Sequence, residues 1–184
     1  MAKGEAKKII VGLGNPGKEY EHTYHNAGAL FVKHGLRTVN HDVSELKKHK
    51  GLFEYAETDD AVLVLPLTFM NESGKAVREA LKKFNAKPES LIVLHDDSDI
   101  TIGDHKISFA RGSAGHKGVQ SIIDALKTNA FTRARIGIRP QKEMRGEARR
   151  KKAGEFALKN ITLKDQKILS EVFTALNSYL IAHS

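Results

Sequence analysis

Short apolar runs of strand length alternate along this chain with stretches whose apolar residues recur at helical spacing, and this alternation constrains the fold most. Residues 8–12 read as a strand and 26–36 as a helix, with Ala29, Leu30, Val32 and Leu36 on its apolar side. Strands follow near 52–57 and 61–65, then a helix over about 71–84. LIVLHD reads as a strand entering an acidic turn and HKISFA as another, and a helix near 119–127 follows the glycine-containing RGSAGHKG. In FTRARIGIRP, Ala134, Ile136 and Ile138 alternate with Arg135 and Gly137 as in a half-buried strand. Thr162 takes the N-cap position of a last helix over about 162–182, with Asp165 in its first turn and a stripe of Ile168, Leu169, Val172, Phe173, Leu176 and Leu180. The expectation is an α/β fold: a single-domain three-layer sandwich over 1–184, with a twisted mixed, mostly parallel sheet and helices on both faces. No internal repeat is visible.

The chain has 184 residues, enough to bury a core without metals or disulfides. It contains no cysteine, which excludes thiol nucleophiles and cysteine zinc sites, and a reducing cytoplasm is the expected location. The longest apolar run, AVLVLPL, is too short to span a bilayer, so no membrane is expected. The formal net charge is +8, and much of the excess falls between Arg133 and Lys152: Arg133, Arg135, Arg139, Lys142, Arg145, Arg149, Arg150, Lys151 and Lys152 against Glu143 and Glu147. Such a cluster suits a polyanion, although a solvated basic loop would look the same. Within it QKEMRGEARRKKAG, polar and bounded by glycine and proline, fits no element and reads as a flexible loop or lid over about 139–155.

Gly12, Gly14 and Gly17 stand in the G-x-G-x-x-G spacing of a dinucleotide-binding turn. That motif needs its third glycine inside a helix, yet here Pro16 interrupts the glycines and the polar KEYEHTYH separates them from the helix. The pattern therefore describes a turn followed by a long loop, and no NAD or other cofactor is expected.

Ligands of open α/β sheets gather beyond the carboxyl ends of strands. Asn15, Tyr20 and His25 follow the first strand; Phe69, Met70 and Asn71 follow AVLVLPL; His95, Asp96, Asp97 and Asp99 follow LIVL; Arg111, His116 and Lys117 follow HKISFA. There is no G-x-S-x-G elbow and no H-E-x-x-H, and no metal is expected. A histidine oriented by a carboxylate acts as a general base toward water, and neighbouring amides stabilise an oxyanion, which together describe hydrolysis without a covalent intermediate. Each residue also has an ordinary reading: His25 at a helix start, Asn71 as an N-cap, Asp96 in a turn.

These segments resemble the bacterial peptidyl-tRNA hydrolases. VGLGNPGKEYEHTYHNAG, PLTFMNESGKAV, VLHDDSDITIG, RGSAGHKGVQSIIDAL and FTRARIGI are similar to that family's motifs in the family's order, from Val11 to Ile138. The resemblance implies hydrolysis of the ester between a peptide, or an N-blocked aminoacyl group, and the 3′ ribose of tRNA, which recycles tRNA from prematurely released peptidyl-tRNA. It implies His25 as general base and Asp96 as the aspartate that orients it. Asn15 matches the residue that favours blocked substrates; Tyr20, Phe69 and Asn71 match positions at the substrate's 3′ end, with Met70, His116 and Lys117 in the same substrate-binding cleft. Lys106, Arg111, Arg133 and Arg135 are the expected tRNA-binding residues, and Arg135 matches a basic residue of the 5′-phosphate clamp. The family suggests a monomer that needs no cofactor. A non-catalytic RNA-binding relative of the same fold is the alternative, and the His25 and Asp96 pair favours the enzyme.

Three positions depart from the family's pattern. Lys117 stands in GHKG where the family has G-H-N-G, Tyr24 precedes the histidine where arginine is common, and Ser108 occupies the place of the clamp's second lysine, whose part would pass to Lys106 or Arg111.

Overall fold

The computed structural model describes residues 7–38, 46–149 and 151–182. The charged start of the chain through Ala6, and Arg150 of the basic run, lie outside the described residues.

The central apolar runs become strands buried on both faces. In β1 (Lys8–Gly12), Ile10 packs with one hydrophobic cluster while Ile9 and Val11 pack with the other. The same split divides Leu63 and Leu65 from Val62 and Val64 in β4 (Ala61–Pro66), and Ile92 and Leu94 from Leu91 and Val93 in β5 (Leu91–Thr101). Helices α1 (Ala27–Thr38) and α5 (Leu163–Ala182) cover the first face; α2 (Ser73–Lys83) and α3 (Lys117–Leu126) cover the second. These are the three layers expected. With β2 (Lys47–His49), β3 (Phe53–Glu57), β6 (His105–Phe109) and β7 (Thr132–Arg139), the seven strands run β2-β3-β4-β1-β5-β7-β6. The central run β4-β1-β5-β7 is parallel, and the pairs toward each edge, β2 with β3, β3 with β4 and β6 with β7, are antiparallel.

Some local expectations change. The acidic turn after LIVLHD is a continuation of β5, whose register against β7 shifts between Asp97 and Thr101; the Asp97 carboxylate accepts from the Asp99 amide there, at 2.8 Å. Asn71 does not cap α2. It lies in a 3-10 turn over Met70–Glu72, and Glu72 precedes the helix without a side-chain cap. Thr162 does cap α5, its Oγ1 accepting from the Asp165 amide at 3.1 Å.

The segment read as a lid is partly tied down. Arg139 donates to the buried Glu143 carboxylate at 2.8 Å and to the Ser98 and Lys151 carbonyls, while Glu143 also accepts from the Lys151 amide. Residues Gln141–Met144 form the short helix α4 and Ala153–Glu155 a 3-10 turn. Arg139 is therefore an internal anchor, 2% exposed, and not part of the basic surface.

The glycine turn is built for backbone contact. A Cβ on Gly28, in the first turn of α1, would stand 2.1 Å from the Leu94 carbonyl oxygen and 2.7 Å from the Leu13 nitrogen, so only glycine lets α1 start against the ends of β1 and β5.

Candidate active site

The loops after β1 and β4, the second half of β5 and the loop before α3 meet at the carboxyl edge of the parallel strands, around a cleft of about 560 Å³, within the usual range for ligand sites. Asn15, His25, Met70, Asn71, Asp96, His116 and Lys117 line it, together with Gly154, Ala157 and Leu158 from the segment before α5.

His25 sits in the 3-10 turn over Tyr24–Asn26. Its amide donates to the Ala157 carbonyl at 2.8 Å and the Tyr24 amide to the Lys159 carbonyl at 3.2 Å, so the turn hangs on the segment that precedes α5. The Tyr24 side chain points the other way, with its hydroxyl 2.5 Å from Asp165 Oδ2 and its ring edge-on to Phe156. Burial, then the Asp165 bond, push that phenol up to about 12.

His25 Nδ1 lies 2.8 Å from Asp96 Oδ1. A carboxylate only accepts, so the proton is on Nδ1 and Nε2 keeps a lone pair. Burial lowers the His25 pKa, but the hydrogen bond and charge of Asp96 outweigh it and the net shift is upward; the Lys117 ammonium pulls it down again. Burial likewise favours a neutral Asp96, yet His116 and His25, both hydrogen-bonded to its carboxylate, overcome it and hold that carboxyl far below the usual range. His116 Nε2 lies 2.9 Å from the same Oδ1, and His116 Nδ1 accepts from the Val119 amide at 3.3 Å as the N-cap of α3.

His25, Asp96 and His116 are close enough to ligate one ion. The donor chemistry does not fit. A metal on His116 Nε2 would put that ring's proton on Nδ1, where it would face the Val119 N–H.

Asn26 supplies a support that sequence reasoning gave no role. Its Oδ1 accepts from the Asn15 amide at 2.9 Å and its Nδ2 donates to the Asn15 carbonyl at 3.0 Å. Asn15 Oδ1 in turn accepts from the Met70 amide at 2.8 Å, which binds the first loop to the turn carrying Asn71. A polar residue immediately after the candidate histidine was the available signal. Nothing comparable marked Ala157, which acts through its carbonyl.

A family model described as peptidyl-tRNA hydrolase matches residues 9–183. The chain belongs to that family. The peptidyl-tRNA hydrolase of Lactobacillus gasseri is 43% identical over 139 residues, covering 74% of this chain and 75% of that protein. That of Aquifex aeolicus is 35% identical over 175 residues, covering 90% and 83%. The crystal structure of peptidyl-tRNA hydrolase from Acinetobacter baumannii superposes with a TM-score of 0.78 at 29% identity, over 94% of this chain and 86% of the other.

Within this hydrolase fold the remaining candidates scatter. Tyr20 is half-buried and Phe69 is 52% exposed, and neither lines the cleft. Lys106 and Arg111 are exposed, and Lys106 stands opposite Arg135 on the neighbouring strand. Arg135 is committed to Asp97, with Nε 2.7 Å from Oδ2. Arg133 departs from the surface role expected of it: it is only 3% exposed, and it stands opposite Ser108; among the described residues neither its Nε and Nη1 nor the Ser108 hydroxyl has a hydrogen-bond partner. Its side chain falls on the face that α3 covers because it alternates with Ala134 along β7. Among the described residues no helix is long and apolar enough to cross a membrane.

Proposed function

We propose that this chain hydrolyses the ester joining a peptide, or an N-blocked aminoacyl group, to the 3′ ribose of tRNA, with His25 as general base and Asp96 as its orienting carboxylate. The observation that carries this reading is the 2.8 Å contact between His25 Nδ1 and Asp96 Oδ1 at the edge of the cleft, which leaves Nε2 as the ring's basic nitrogen. A water beside Nε2 gives up a proton as its oxygen attacks the ester carbonyl. The resulting imidazolium, stabilised by the ionised Asp96, returns that proton to the departing ribose oxygen. The oxyanion is neutralised by the Asn71 amide and the Lys117 ammonium, both on the cleft wall. An ester has an alkoxide leaving group, less basic than the amide nitrogen of a peptide, so a base, a water and an oriented substrate suffice.

In this reading Asn15 meets the blocked amino group, Met70 packs against the acyl chain, and Tyr20 and Phe69 receive the 3′ end from beside the cleft. Lys106, Arg111 and Arg135 meet phosphates of the acceptor arm, and Arg133 adds charge from below. The enzyme acts in the cytoplasm as a monomer. The experiment is release of N-acetyl-aminoacyl groups from tRNA, with free aminoacyl-tRNA as control. Loss of His25 in His25→Ala should lower kcat by roughly 10²–10⁴-fold with tRNA binding retained. Wild-type protein that binds the tRNA and releases nothing would instead make the chain a binding relative.

A further inference from the structure

Three imidazoles converge on Asp96. His25 Nδ1 and His116 Nε2 approach the same oxygen, Oδ1, at 2.8 and 2.9 Å, and His95 Nδ1 lies 2.7 Å from the Asp96 carbonyl oxygen. The His116 ring stands between the other two, its centroid 5.1 Å from His25 and 4.5 Å from His95. The partner of one ring nitrogen decides which nitrogen carries the proton. His116 Nδ1 accepts from the Val119 amide, so its proton is on Nε2 and is donated to Asp96. His25 and His95 reach oxygen acceptors through Nδ1 and carry their protons there.

We propose that His116 is a positioning residue of the reaction and not a substrate-binding one: the first turn of α3 fixes its tautomer, and its Nε2–H shares Asp96 Oδ1 with His25. The proposal rests on the reading of His25 as base. Two donors on one oxygen fix the carboxylate in line with His25 Nδ1, and each weakens the other's share of that oxygen. Asp96 therefore stays ionised and orients His25 without saturating it with a proton. The other charged group acting on His25 is Lys117, the first residue of α3. Asp97, next to Asp96, is committed to Arg135, and His95 is fully buried, where burial keeps it neutral.

Nitrogen–proton correlation spectra of the full chain with labelled histidines test this directly. At neutral pH His25 should appear as the Nδ1–H tautomer and His116 as the Nε2–H tautomer; His116 seen as Nδ1–H, or as the imidazolium, overturns the proposal. Kinetics of His116→Ala and His116→Gln add a second readout, since the Gln amide offers an N–H near the former Nε2. His116→Ala should lower kcat roughly ten- to a hundredfold at nearly constant KM and move the acid limb of the pH–rate profile upward, with His116→Gln recovering part of both. A raised KM with an unmoved acid limb assigns His116 to substrate binding and overturns the proposal. If His25→Ala still turns over, the base assignment fails, while the tautomer spectrum continues to judge His116 independently.

Discussion

As the proposed base, His25 can accept a proton only while Nε2 is unprotonated, so the rate should follow its ionisation. Its net shift is upward, which places the acid limb above the ordinary histidine value of about 6.5, with activity lost as pH falls through it. Lys117 works against that shift. Lys117→Asn removes a cation that disfavours the imidazolium, so the limb should move to higher pH in a kcat/KM profile. Turnover at the plateau should be unchanged or raised, since a fixed amide replaces a mobile ammonium toward the oxyanion. A limb that moves down, or an inactive variant, would remove Lys117 from the electrostatics of the site. Asp96→Asn tests the partner: the amide can donate to Nδ1 and push the ring proton onto Nε2, and kcat should fall roughly 10²–10⁴-fold.

The turn bearing His25 is held by its own hydrogen bonds and also by the elements around it. Tyr24 and Asp165 join it to the first turn of α5, and the Ala157 and Lys159 carbonyls join it to the preceding segment. Tyr24→Phe removes a donor to a carboxylate and should cost about 1.5–3 kcal/mol, read as a lower denaturation midpoint. If the bond also positions His25, kcat falls with KM nearly constant. The segment over 139–155 hangs on Arg139 in the same way, through Glu143 and the Lys151 carbonyl. Arg139→Met should speed hydrogen exchange across that segment by at least about tenfold while the central strands stay protected.

Over the whole molecule, the net charge of +8 and the basic residues near β6 and β7 suit a polyanion whose phosphates are met by lysines and arginines. Binding of the tRNA arm should weaken as salt rises, by about 0.7–0.9 logarithmic units per logarithmic unit of salt for each phosphate neutralised. Replacing exposed Lys106 with Ala should reduce that slope by about one, whereas Arg133, only 3% exposed, should contribute less to the slope than its charge suggests.

The sequence alone determined the alternation of strands and helices, the burial of both sheet faces and the residues at the carboxyl edge, because apolar periodicity and turn chemistry are local properties of the chain. The roles of His25 and Asp96 came from the resemblance of their motifs to the family's, not from periodicity. Only the tertiary structure decided that Asp96 serves His116 as well as His25, that Arg133 and Arg139 are buried while Lys106 is not, and that a carbonyl at Ala157 holds the turn bearing His25. These depend on which strand lies beside which and on main-chain groups that every residue carries, so side-chain identity leaves no trace of them in the linear order.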